Sequence, residues 1–192
     1  MPRNGFHDDL EACLKVLQEG GIILYPTDTI WDLGCDASNE AAVSRIYEIK
    51  KRSDTQSMLV LVDSPAKLQA YVSEVPDMAW DLMELSEKPL TIIYPDARNV
   101  APNLMAADRF LGIRVSNEAF SKALCERFRR PIVSTSANIS GQVAPQYFGE
   151  ITEEIKSSAD YIVQFRQQER KPAQASFIIK LGKGNLIQII RQ

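Results

Sequence analysis

Pro131-Ile132-Val133-Ser134-Thr135-Ser136-Ala137-Asn138-Ile139-Ser140-Gly141 is the stretch on which the reading of this 192-residue chain turns. A short β-branched run reads as a buried strand, and it stops in small polar residues ahead of a glycine turn. Hydroxyls and an amide at a strand end leave room for a ligand and offer it donors and acceptors. Open α/β sheets bind their ligands in crevices of this kind. The same side chains could instead satisfy their own backbone in a turn, which is the simpler reading of the segment alone. Two further segments tilt the balance toward a site.

Working outward, helices and strands alternate with no repeat, low-complexity tract or long linker. Leu10, Cys13, Leu14 and Leu17 lie at helical spacing, and Gly20-Gly21 closes that helix. Ile22 to Tyr25 read as a buried strand ending at Pro26. Ser38 or Asn39 can cap a helix running to about Lys51. Strands are expected at Met58–Val62, Leu90–Tyr94 and Leu111–Val115. Helices are expected at Pro65–Tyr71, Asp77–Leu85 and Glu118–Phe128, the last feeding the strand before Ser134. A helix near Phe148 to Lys156 and strands at Tyr161–Gln164, Phe177–Lys180 and Leu186–Ile190 complete the chain. This alternation predicts the α/β class, with one domain over residues 1–192, a core from about 10 to 191 and no additional C-terminal domain. The closing strands lack crossover helices, so the sheet is expected to be mixed.

Two other segments carry candidate chemistry. Tyr25-Pro26-Thr27-Asp28-Thr29 places two hydroxyls and a carboxylate at the tip of the first strand, as a turn and helix cap or as a small-molecule cradle. Lys50-Lys51-Arg52 falls at the predicted end of the next helix, where cations complement the helix dipole. The same triplet is a simple phosphate clamp, since Arg offers a flat fork and Lys a point charge. Arg127-Phe128-Arg129-Arg130 is a second basic cluster, read as a solvated helix end.

Composition removes several classes. A hydrophobic content of 45% can fill one sizeable core. A net charge of −3 argues against a dedicated nucleic-acid coat or polybasic membrane binder. Cys13, Cys35 and Cys125 are odd in number and widely spaced, so neither a disulfide framework nor a metal site is expected, and a reducing cytoplasm is the simplest location. No run approaches the roughly 20 apolar residues of a membrane span. The sole histidine, His7, lies near the N-terminus, which disfavours a Ser-His-Asp hydrolase. Neither a Gly-x-x-x-x-Gly-Lys-Ser/Thr loop nor Gly-x-Gly-x-x-Gly is present.

In this order, the three segments resemble the YrdC-like family of L-threonylcarbamoyladenylate synthases. The resemblance rests on Tyr25 to Thr29, on Lys50 with Arg52, and on Ser136 with Asn138 inside Ser134-Thr135-Ser136-Ala137-Asn138. Gly112 to Val115, Ser176 before Phe177-Ile178-Ile179, and Arg191 extend it over essentially the whole chain. It implies a twisted sheet flanked by helices around a concave basic cavity. It also implies an enzyme joining L-threonine, bicarbonate and ATP, with magnesium on the triphosphate, into threonylcarbamoyl-AMP and pyrophosphate. Partner proteins, a threonylcarbamoyl-transferase complex, would then modify tRNA; possible double-stranded RNA binding is a further implication. By the same resemblance Thr29, Arg114, Ser134 and Ser176 would hold threonine, Arg114 taking its carboxylate. Lys50, Arg52, Gln56, Ser136, Asn138 and Arg191 would hold ATP, Lys50 and Arg52 being the catalytic pair. The alternative is an RNA-binding, ribosome-associated factor of the same fold without adenylating activity.

The chain departs from the family pattern in places. Trp31-Asp32-Leu33-Gly34 stands where the family usually has Tyr-Gly-Leu-Gly, so any positive φ at Asp32 would be strained, and its charge lies near a proposed anion site. Ser53, Gln56 and Ser57 replace a proline and a Lys or Asn followed by Pro or Gly. Glu87-Lys88-Pro89-Leu90-Thr91 stands for a Trp-Pro-Gly-Pro-x-Thr segment.

Overall fold

Apolar periodicity places the first helix as expected. In the computed structural model, which describes residues 5–53, 58–105, 107–184 and 186–192, α1 (His7–Gln18) buries Leu10, Cys13, Leu14 and Leu17. Removing each such side chain from water stabilises by about 1.5–3 kcal/mol. The helix ends where Gly20 takes φ +78° and its N–H reaches the Leu17 carbonyl. Asp9 on the same helix is buried, and its carboxylate accepts from Tyr161 Oη at 2.7 Å and from the Gln164 and Phe165 amides. Those bonds clip α1 to the far edge of the sheet.

The strands are β1 (Ile23–Pro26), β2 (Trp31–Gly34), β3 (Leu59–Val62), β4 (Leu90–Tyr94), β5 (Leu111–Val115), β6 (Ile132–Ser136), β7 (Tyr161–Ile162), β8 (Phe177–Leu181) and β9 (Ile187–Arg191). They form a nine-stranded sheet in the order β7-β1-β2-β6-β3-β5-β4-β8-β9. The sheet is mixed: β7 pairs with β1, β3 with β5 and β4 with β8 in parallel, and the other neighbours are antiparallel. The expectation of a mixed α/β sheet holds.

The remaining helices are α2 (Glu40–Lys50), α3 (Leu68–Tyr71), α4 (Asp77–Leu85), α5 (Ala119–Phe128) and α6 (Glu153–Ser158). Asn39 caps α2, its side-chain oxygen accepting from the Ala42 amide at 3.0 Å. Glu118 caps α5 through bonds from the Phe120 and Ser121 amides. α1 and α5 pack on each other and against β1, and α5 also reaches β3. Among the described residues no helix is long and apolar enough to cross a membrane.

Three local expectations need correction. Trp31–Gly34 is a strand, hairpinned to β1 in the register Tyr25↔Asp32. Asp32 is therefore extended, not left-handed, and the anticipated strain at that position does not arise. The helix expected from Phe148 to Lys156 is broken: a single turn at Phe148–Glu150 stops, and α6 restarts after Thr152, whose hydroxyl caps it. β7 covers only Tyr161–Ile162, because from Gln164 the chain turns to bond Asp9.

Cys13, Cys35 and Cys125 are free and buried, and burial pushes all three thiols well above their usual range.

Candidate active site

Register alone assembles the site. Asp32 of β2 pairs with Ser136 of β6, and Ser134, two residues earlier, shares that face and pairs with Leu59 of β3. Leu61 is aligned with Arg114 of β5, Arg114 with Thr91 of β4, Thr91 with Ile178 of β8, and Ile178 with Arg191 of β9. Directly paired residues point to the same side of a sheet. Asp32, Ser134, Ser136, Leu59, Arg114, Thr91, Ile178 and Arg191 thus form a transverse row on one face. The opposite face takes Val60, Ile113 and Ile92, aligned with one another and buried in the core.

Over this row lies a cavity of about 180 Å³ whose wall includes Thr29, Asp32, Arg52, Arg114, Ser134, Ser136, Ser176 and Arg191. Its deep end is built on Arg114, which is 2% exposed. Arg114 Nε donates to Asp28 Oδ1 at 3.0 Å. Nη1 reaches the hydroxyls of Thr91 at 3.4 Å and Ser176 at 3.5 Å; Nη2 reaches Thr29 at 3.3 Å and Ser134 at 3.4 Å. Thr29, Ser134 and Ser176, three of the four residues expected to hold threonine, therefore converge on the guanidinium of the fourth, Arg114.

Thr91 was not anticipated. Its signal was available as a single polar residue inside the apolar run Leu90-Thr91-Ile92-Ile93, and its hydroxyl lies 2.8 Å from that of Ser176. The Thr27–Thr29 turn is held by the Thr27 hydroxyl, which donates to the Ile30 carbonyl and accepts from the Thr29 amide. Arg166, another residue that sequence reasoning missed, donates to the Thr27 carbonyl at 3.0 Å.

Asp32 is 4% exposed, accepts from the Ser134 hydroxyl through Oδ2, and keeps that oxygen 3.9 Å from Arg114 Nη2. Burial pushes its carboxyl up to about 6, against the opposing pull of Arg114, the Ser134 hydrogen bond and Lys50. Burial raises Asp28 as well, again opposed by Arg114.

Beyond this end, Arg52 is half-buried and Arg191 exposed. Burial lowers both guanidinium values. Arg191 Nε donates to the Ser176 carbonyl at 2.9 Å, which ties β9 to the cavity wall. Arg52 reaches the cavity because Lys51 takes φ +50° after α2 and turns the chain.

Lys50 is placed differently. It is 1% exposed, and its ammonium donates to the Ser136 carbonyl at 2.5 Å, the Asn138 carbonyl at 2.8 Å and Asn138 Oδ1 at 3.3 Å. Burial brings it down to about 8, opposed by Asp32 and reinforced by Arg52. The Asn138 amide nitrogen donates to the Gln142 carbonyl. Lys50 and Asn138 thus stand behind the strand end that forms the cavity wall, and Ser136 lies on the wall itself. Gln56 lies outside the described residues.

Gly34 serves this packing. A Cβ there would come 2.6 Å from the Tyr25 ring and 2.8 Å from the Val133 carbonyl, whereas glycine lets the Tyr25 hydroxyl reach that carbonyl at 3.0 Å.

Comparison with known proteins finds relatives in sequence and in fold. A threonylcarbamoyl-AMP synthase of Pseudoalteromonas translucida is 32% identical over 157 residues, 80% of this chain and 84% of the relative. One from Saccharophagus degradans is 36% identical over 133 residues, 69% of this chain and 70% of the relative. Among solved structures, P. abyssi Sua5 complexed with L-threonine superposes with TM-score 0.79 at 25% identity, covering 90% of this chain and 50% of that one. A doubly substituted P. abyssi Sua5 gives TM-score 0.85 at 25% identity over 95% of this chain and 55% of the other, so the present chain spans about half the length of those two. E. coli YciO shares the fold, with TM-score 0.83 at 24% identity over 100% of this chain and 92% of that one. The family model for Sua5, YciO and YrdC proteins, described as telomere recombination, matches residues 15–192. With the family model matched over residues 15–192 and these relatives at 32% and 36% identity, the chain belongs to the Sua5/YciO/YrdC family.

Proposed function

We propose that this chain is a threonylcarbamoyl-AMP synthase, a nucleotidyltransferase that joins L-threonine, bicarbonate and ATP and releases pyrophosphate. The observation that carries the reading is the buried Arg114 ringed by Thr29, Thr91, Ser134 and Ser176 at the end of a cavity of about 180 Å³. That volume lies below the roughly 300–1,000 Å³ of drug-sized sites and suits an amino acid. The nucleotide would lie outward, toward Arg52 and Arg191.

Neither chemical step needs an enzyme nucleophile. The threonine amine attacks carbon dioxide derived from bicarbonate, and the carbamate oxygen then attacks the α-phosphorus of ATP, expelling pyrophosphate. Charge builds on phosphate oxygens, so positioning and cationic stabilisation supply the acceleration. Arg52 and Arg191, which line the cavity, would supply that stabilisation, and Lys50, bonded to the Ser136 and Asn138 carbonyls, would hold that segment in shape behind them. Magnesium enters as part of the magnesium–ATP substrate and lowers the charge on the triphosphate. The product would pass to a transferase complex acting on tRNA.

The test is pyrophosphate release by purified protein given magnesium–ATP. Release that requires threonine and bicarbonate together, and falls about a hundredfold in Arg52→Ala, supports the reading. Release indifferent to threonine, or none, overturns it. RNA affinity that falls steeply with salt, without pyrophosphate release, would favour a binding module.

A further inference from the structure

We propose that Asp32 makes amino-acid binding proton-coupled: the ligand carboxylate seats on Arg114 together with one proton, held between that carboxylate and Asp32. The proposal rests on the amino-acid substrate inferred above and concerns a residue at which this chain departs from the family pattern. Arg114 has room for a carboxylate. Its Nε is committed to Asp28 at 3.0 Å, but Nη1 and Nη2 reach only hydroxyls, at 3.3 to 3.5 Å. Charge-assisted bonds are shorter, about 2.7–2.9 Å, so a ligand carboxylate competes well for those N–H groups. Asp32 lines the same cavity, and its Oδ2 is 3.9 Å from Nη2. A carboxylate seated on Nη2 therefore lies against Asp32, and three carboxylates surround one guanidinium. Like charges repel strongly where water is excluded.

The proton falls to Asp32 rather than to Asp28. Asp28 accepts a direct bond from Arg114, whereas Asp32 stands beyond hydrogen-bond distance of it. Among the described residues Asp32 accepts only from the Ser134 hydroxyl, through Oδ2. Protonated at Oδ1, it donates to the ligand carboxylate while Oδ2 keeps the Ser134 bond. The other groups that face Asp32 do not replace this proton. The Lys50 ammonium is spent on the Ser136 and Asn138 carbonyls, and the Tyr25 hydroxyl donates to the Val133 carbonyl. Arg191 is tied to the Ser176 carbonyl, and Arg52 lines the cavity wall. Burial already moves Asp32 toward its neutral form, to about 6. A second carboxylate at contact moves it further, since two carboxylates sharing a site do not both ionise.

This pose keeps the carboxylate at the deep end and presents the amine toward Arg52 and Arg191, where the carbamate must meet the α-phosphorus. No bond of the ligand is made or broken in the step. One proton enters from solvent as the carboxylate seats, and it returns to solvent when the product leaves. The sign of the pH dependence follows: affinity is highest where Asp32 is already neutral and falls as pH rises through its value of about 6.

Calorimetric titration of the whole protein, without ATP or bicarbonate, tests the coupling in buffers of different ionisation enthalpy. The ligands are L-threonine, (R)-3-hydroxybutyrate, which lacks the amine, and L-threoninamide, which lacks the carboxylate charge. At about pH 7.5 threonine and hydroxybutyrate are expected to take up roughly one proton each, and the amide none. Asp32→Asn carries a permanent donor in place of the proton. It is expected to bind threonine about tenfold or more tightly than the wild type at that pH, with no proton uptake. Threonine binding without proton uptake, or weaker threonine binding by Asp32→Asn, overturns the proposal; the second result would pair Asp32 with the ligand ammonium instead. The buffer series on the wild type decides the matter even if the variant fails to fold. Proton-coupled binding without pyrophosphate release would sink the synthase reading and leave the coupling standing. No threonine binding at all would sink both.

Discussion

Two buried cations lie on either side of the β6 strand end, and they are caged by different parts of the protein. Arg114 is surrounded by side chains: carboxylates of Asp28 and Asp32 and hydroxyls of Thr29, Thr91, Ser134 and Ser176. Lys50 is held mainly by main-chain carbonyls, those of Ser136 and Asn138, with one side-chain oxygen added. A cage of side chains can be re-tuned one substitution at a time, while a cage of carbonyls is fixed by the course of the chain. The Arg114 region can therefore vary its chemistry over a constant frame, and the Lys50 region keeps that frame.

Removing the cation separates the two most sharply. Arg114→Leu leaves Asp28 and Asp32 buried without their counter-charge, and urea denaturation is expected to show a loss of about 3–5 kcal/mol. A loss under 1 kcal/mol, on the order of an exposed pair, would break the comparison.

The second test uses pH. Because the folded Asp32 carboxyl titrates at about 6, above its usual 3.8, the neutral form is the one the fold prefers. Its contribution is fully present below the unfolded value and is lost as pH rises through about 6. Asp32→Asn removes that loss. The difference in unfolding free energy between variant and wild type should grow by about 3 kcal/mol from pH 3.5 to pH 8. A flat difference would place Asp32 in a more solvated setting than its 4% exposure indicates.

For the carbonyl cage, Lys50→Met leaves the Ser136 and Asn138 carbonyls without their donor, and a loss of about 2 kcal/mol is expected in the same denaturation assay. If Lys50→Met keeps full stability and loses only pyrophosphate release, Lys50 serves as a phosphate ligand rather than a pin. The smallest effect lies next door. Lys51 holds φ +50°, so Lys51→Gly should gain about 0.5–1 kcal/mol by thermal unfolding, offset by the exposed Lys51–Glu154 pair it removes.

The sequence announced what local chemistry controls. Helical spacing located Leu10 to Leu17, Asn39 was a capping residue on sight, and the β-branched runs marked β3, β5 and β6. β2 escaped because Trp31-Asp32-Leu33-Gly34 carries two residues that disfavour strands, and all four are buried, so no alternation marks it. The split at Ile151-Thr152 escaped because Thr152 is an internal cap within an otherwise helical pattern. Thr29, Arg114, Ser134 and Ser176 were nameable through resemblance, but their meeting depends on strand order and register, which no single segment encodes. The fate of Lys50 was least legible, since carbonyl acceptors carry no side-chain signature.

Arg191 belongs to β9, the outermost strand, which among the described residues pairs with no strand but β8 and is exposed at all five positions. A ribbon attached along one side peels more readily than one sandwiched between neighbours. The cavity therefore has one wall bound loosely and the rest bound tightly. A ligand bridging Arg191 to the deep end of the cavity at Arg114 would act as a staple, and β9 amides should exchange with deuterium more slowly in its presence while those of β6 barely change.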